Sequence, residues 1–222
     1  INPADIAGWK TQFEELSHVT QSELKKLHID YISKGDLLFD KKDYIGALEK
    51  YRIAVYLDPQ DYVPYYGIGR SYKEMGDYDA ATTTFLLSLQ YNPNTDSIIY
   101  QLSLTLMELK QYHQAKKLLL HIISKNPTNH TGWVLLANAY LLDNEIDKAE
   151  ETYLKALNLG GGYCNDCAPQ IHGGFAEIAR QHKDIIKAES EIAKARQYSR
   201  IPGLVYMESA RVYQDMGNKK NE

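Results

Sequence analysis

Apolar residues return at helical spacing along nearly the whole chain, and the return itself repeats every 34 residues. Ala47, Ala81, Ala115 and Ala149 occupy one column of this repeat, and Pro59, Pro93 and Pro127 another. Tyr51, Phe85, Leu119 and Tyr153 make a column of large residues, whereas Gly35, Gly69, Ser103 and Ala137 make a column of small ones. Leu38, Tyr72, Leu106 and Tyr140 form a further one. Small residues at fixed places let two helices approach closely, and large ones fill the gaps beside them, so the pattern predicts pairs of helices with one buried stripe each. Ile68 with Tyr72, and Phe85 with Leu89, are such stripes. Punctuation agrees: Met75-Gly76-Asp77 supplies a glycine stop followed by a side chain able to cap the next helix. Between units, Asn92-Pro93-Asn94 ends the helix because proline cannot continue it and pushes its predecessor toward extended backbone.

These columns, together with Tyr31, Tyr65, Ile99 and Trp133, resemble the tetratricopeptide repeat family. The resemblance implies an all-α fold, a right-handed superhelical solenoid of antiparallel helix pairs. It divides the chain into units at 28–61, 62–95, 96–129, 130–168 and 169–202. The last unit is offset: Ala188 follows Ala149 by 39 residues, so about five extra residues fall before it, including Gly160-Gly161-Gly162. Residues 1–27 lie outside the repeat; Ile6, Trp9, Phe13 and Leu16 make an apolar stripe, read as an N-terminal capping helix or as a detachable segment that fills a groove. Residues 203–222 are read as a C-terminal capping helix and a polar tail.

In the resembled family the first helix of each pair lines the inner face, so the resemblance places a partner there. The strip at i, i+4 and i+7 reads Ile32, Asp36 and Phe39; then Tyr66, Arg70 and Lys73; then Tyr100, Leu104 and Met107; then Val134, Asn138 and Leu141. In the fifth unit it becomes Gly173, Glu177 and Arg180, small and polar where the middle units are apolar. Phe39, Tyr66, Tyr100, Leu104, Met107 and Leu141 would expose a contiguous apolar patch, which calls for an interaction. The same aromatics, at helical spacing, also suit packing between helices. One branch of the family clamps acidic C-termini with asparagine and basic side chains, and that pattern does not carry over: Asp36 stands at the asparagine's place, and Tyr100 and Leu104 replace basic residues. A more apolar or amphipathic segment is the expected ligand.

Composition changes little in this picture. Apolar residues at 44% and charged residues at 24% allow a continuous core, and a net charge of −4 with no Lys/Arg run beyond a pair gives no footprint for nucleic acid. No stretch approaches a membrane span. The sequence begins at Ile1 without a charged and apolar leader, a start read as processed or trimmed, so the compartment stays unknown; the cytoplasm is the favoured reading, with the periplasm or export as alternatives.

Two cysteines exclude a disulfide framework, but Cys164 and Cys167 sit close together near the glycine run, with His172 beyond. Zinc needs four ligands, and these residues offer two thiolates and one or two histidines, so a metal site is the weaker reading beside a loop disulfide or free thiols. Neither a nucleophile elbow, nor a phosphate-cradling GxxxxGK, nor HExxH occurs, and no cofactor is called for. The expected role is a non-catalytic scaffold that holds a segment of a partner protein. The alternatives are self-assembly, with the groove filled by another copy or by residues 1–27, and a metal- or redox-sensing module built on the cysteine pair.

Overall fold

A computed structural model describes residues 20–160 and 167–198, apart from the side chain of Tyr198. Among the described residues there are ten α-helices and no strand. They are α1 (Gln21–Asp40), α2 (Tyr44–Leu57), α3 (Tyr62–Glu74), α4 (Tyr78–Tyr91), α5 (Asp96–Glu108), α6 (Tyr112–Lys125), α7 (His130–Leu142), α8 (Ile146–Asn158), α9 (Cys167–Gln181) and α10 (Ile185–Tyr198). The residues predicted to open units two, three and four, Tyr62, Asp96 and His130, are the first residues of α3, α5 and α7. None of these helices is long and apolar enough to cross a membrane.

The first helix begins earlier than the repeat. Thr20 caps it with a reciprocal box, its hydroxyl accepting from the Glu23 amide at 3.3 Å while its own amide donates to Glu23 Oε2 at 2.8 Å. Residues 21–27, read from sequence as part of a separate cap, therefore continue into the helix that carries His28 and Gly35. The polar Thr20-Gln21-Ser22 run is a helix start. The apolar stripe of residues 6–16 and the segment 203–222 lie outside the described residues.

Each hairpin turns on a residue in the left-handed region. Gly76 takes it at φ 81°, as the sequence requires, but the equivalent positions are Lys42, Lys110, Asn144 and Lys183, all with φ near 60°. Glycine is thus dispensable for the turn, at a cost of about 1–2 kcal/mol per residue carrying a Cβ. Asp77 caps α4 through the Ala80 amide at 3.1 Å.

The described residues form two compact units, divided between residues 94 and 95. In the first, α1 packs on α2, α3 on α4, and α2 and α1 both pack on α3. Tyr51 of α2 is the wedge: a Cβ added at Gly35 of α1 or Gly67 of α3 would lie 2.5 Å from its ring. Ala47, Leu48 and Ile68 complete that core. Phe85 of α4 lies likewise on Gly69, at 2.6 Å from such a Cβ.

In the second unit consecutive helices from α5 to α10 pack in order, and the first helices α5, α7 and α9 also touch in succession. Tyr153 of α8 repeats the role of Tyr51, its ring lying where a Cβ of Gly174 would be. Around it gather Val134, Ala137, Ala149, Ala156, Cys167, Ile171, Phe175 and Ile178. A smaller cluster of Ala176, Ala179, Ala188, Ile192 and Ala195 joins α9 to α10.

Candidate functional site

Tyrosine at the wedge position brings its hydroxyl to the first-helix strip, and there it needs an acceptor. In the first unit Tyr51 donates to Asp36 Oδ1 at 2.7 Å. Burial, followed by this bond, pushes the Tyr51 hydroxyl well above its ordinary range. In the second unit Tyr153 donates to Asn138 Oδ1. Where the wedge is Phe85 or Leu119, the corresponding strip residue is Arg70 or Leu104. Asp36 and Asn138, expected to face a ligand, are thus committed in part to the fold, and the bond fixes the Asn138 amide with its nitrogen turned outward, 3.4 Å from Gln170 Oε1.

The remaining strip residues of the first unit also find partners in the chain. Arg70 lies over the Phe39 ring, 3.9 Å from its centroid, and 5.7 Å from that of Tyr66. Tyr66 in turn packs on Phe85 at 6.0 Å between centroids. Lys73 approaches Glu74 at 3.8 Å. Ile32 is half-buried.

In the second unit the first helices enclose a recess of about 660 Å³. α5 contributes Leu104, Met107 and Glu108; α7 contributes Leu135, Asn138, Leu141 and Leu142. α9 closes the other side with Gln170, Gly173, Gly174, Glu177 and Gln181, and Asn144 and Tyr153 complete the lining. The structure therefore brings together Leu104, Met107, Asn138, Leu141 and Glu177 from the predicted strip. Gly173 stands where the other units carry Ile32, Tyr66, Tyr100 and Val134, so α9 presents bare helix there and leaves room.

Four expectations need correction. Val134 is 1% exposed and belongs to the core, and Met107, expected in an exposed patch, is buried too at 6%; Leu135, the neighbour of Val134, lines the recess although it is also only 6% exposed. One residue is about 100° on a helix, and the open face is centred on Asn138 and not on Val134. Leu135, Glu108, Leu142, Gly174 and Gln181 were missed for that reason; each follows a strip position by one. Tyr100 is half-buried, and its hydroxyl accepts from Asn129, the cap of α7. Arg180 is outside the lining, forked onto Glu177 at 2.6 and 2.8 Å.

Cys167 was read as a loop residue; it is the first residue of α9 and is 3% exposed, with its sulfur 3.7 Å from Thr131 Oγ1. Cys164 lies outside the described residues. His172, five residues along α9 and so about 140° around it, makes a buried 2.7 Å contact with Glu191 of α10. The sequence thus suggested a ligand set that the helix points apart.

Away from the recess, Lys116 of α6 reaches Asp143 at 2.5 Å and also Glu145, which Lys148 contacts as well. Hydrogen bonds from Lys116 and then Lys148 hold the Glu145 carboxyl down at about 2. This cluster ties α6 to the turn between α7 and α8.

Comparison with known proteins agrees with this architecture. Models of the tetratricopeptide repeat match residues 63–95 and 106–161. The chain is similar to a TPR repeat-containing protein of Methanocaldococcus jannaschii, 28% identical over 139 residues, covering 58% of this chain and 24% of that one. It spans about a quarter of the length of the curated relatives it matches. Among solved structures, a thermophilic TPR protein of Thermus thermophilus aligns with a TM-score of 0.68 at 21% identity, over 84% of this chain and 99% of that one. Another, YrrB, described as a TPR protein with an unusual peptide-binding site, aligns at 0.58 and 19% identity, over 90% and 97%.

Proposed function

Because the chain is a tetratricopeptide-repeat protein, we propose that its second unit holds an apolar or amphipathic segment of a partner protein in the recess between α5, α7 and α9. The role is that of a scaffold and not of an enzyme. One observation carries the reading: Leu104, Leu135, Leu141 and Leu142 stand on one wall of a recess large enough for several side chains, facing a helix stripped of its own side chain at Gly173. Leu142 is 55% exposed, an apolar surface that a docked segment would cover. Repeat proteins of this kind bind along stacked first helices.

A photo-crosslinking amino acid placed at Leu141, compared with one at Leu120, an exposed residue of α6 outside this recess, tests this in cells. The expected outcome is a discrete heavier product from position 141 and none from 120. A product of doubled mass would assign the recess to a second copy. Equal, diffuse labelling from both positions would remove the proposal.

A further inference from the structure

The recess is selective by charge as well as by shape. Among its lining residues the only ionisable carboxylates are Glu108 and Glu177, and none is Lys, Arg or His. The two acids are not equivalent. Glu177 is already forked onto Arg180, and Gln181 Nε2 donates to it at 3.1 Å. Glu108, on the opposite wall at the C-terminal end of α5, is exposed and makes no ion pair among the described residues. It also stands where the helix dipole is negative, so the carboxylate and the terminal carbonyls add to one another. A leucine wall thus ends in an uncompensated negative pole.

We propose that the segment held in this recess carries an apolar anchor flanked by arginine or lysine, and that Glu108 reads the cation. This rests on the recess being a binding site at all. An apolar side chain enters against Leu104 and Leu141. Its basic neighbour then reaches Glu108, partly screened from water by the docked chain, where an ion pair gains strength. An acidic neighbour would meet Glu108 and the α5 carbonyls as like charges. This preference is opposite to that of an acidic-tail clamp, whose basic residues are replaced here by Tyr100 and Leu104.

The test uses the full 222-residue chain and three labelled peptides, about twelve residues each, with a central leucine pair on a glycine-serine background flanked by arginines, serines or glutamates. Fluorescence anisotropy at low salt should show the arginine peptide binding at least about tenfold more tightly than the glutamate peptide, with the gap narrowing as salt rises. Glu108→Lys is an exposed change that leaves the helical circular dichroism spectrum in place, and it should abolish or reverse the order. Binding that is indifferent to flanking charge, or stronger for glutamates, overturns the assignment to Glu108 while leaving the recess as a binding site. No binding of any of the three up to about 1 mM overturns both.

Discussion

The ring of Tyr153 fills the space that a side chain on Gly174 would need. The partnership is repeated by Tyr51 and Gly67 in the first unit. Between α6 and α7 the equivalent residues are Leu119 and Leu135. Large aromatic with glycine, or leucine with leucine, conserves the volume between a second helix and the first helix of the following pair.

Gly174→Ala should therefore destabilise the chain by about 1–3 kcal/mol. Tyr153→Leu should cost a similar amount by leaving a cavity. The double variant reproduces the leucine-type fit in part, and denaturant unfolding should find it more stable than the sum of the singles by about 0.5–3 kcal/mol. Strict additivity would show that the two residues do not share one space.

Lys110 holds φ 59° at the turn between α5 and α6, where glycine carries no Cβ penalty. Lys110→Gly exchanges about 1–2 kcal/mol of steric cost for about 0.5–1 kcal/mol of lost chain entropy. The expected result is a gain of up to about 1 kcal/mol in urea unfolding. The same change at Lys117, inside α6, should destabilise instead.

Ser103 is fully buried, and its hydroxyl has no hydrogen-bond partner among the described residues. Ser103→Ala removes an unsatisfied group and keeps the small volume that the column requires. Stability should rise by roughly 1 kcal/mol, seen as an upward shift of the thermal midpoint. A fall would mean that the hydroxyl is satisfied in solution.

Glu145 ties stability to acid. Its folded carboxyl is held at about 2 against an ordinary value of 4.5, through Lys116 first and Lys148 second. A carboxyl depressed in the folded state contributes fully above 4.5, and that contribution is lost as pH falls from 4.5 toward 2. Unfolding midpoints measured across this window should decline, and Glu145→Gln should flatten that part of the decline. Titrating the Glu145 carboxyl by NMR gives the folded value directly.

How much was legible follows from which forces are local. The 34-residue columns identified the helix pairs, and Tyr62, Asp96 and His130 fell on helix starts, because periodicity and turn chemistry are properties of neighbouring residues. The strip was drawn one position off at Val134, because the buried arc of a first helix is fixed by two neighbours packing from different sides. Cys167 was misplaced because the start signal at Asn165-Asp166, side chains able to cap a helix directly before it, was read as part of the loop that follows the glycine run.

The amino-acid order alone determined that this is a chain of tetratricopeptide-type helix pairs with small residues opposite large ones. Only the tertiary structure decided that Asp36 and Asn138 serve tyrosine hydroxyls, that Arg70 rests on Phe39, and that the recess of the second unit opens around Asn138, Leu142 and Glu108. The reason is physical. Spacing tells which residues share a helix face, whereas the partner of a hydroxyl, a guanidinium or a carboxylate is set by side chains from other helices.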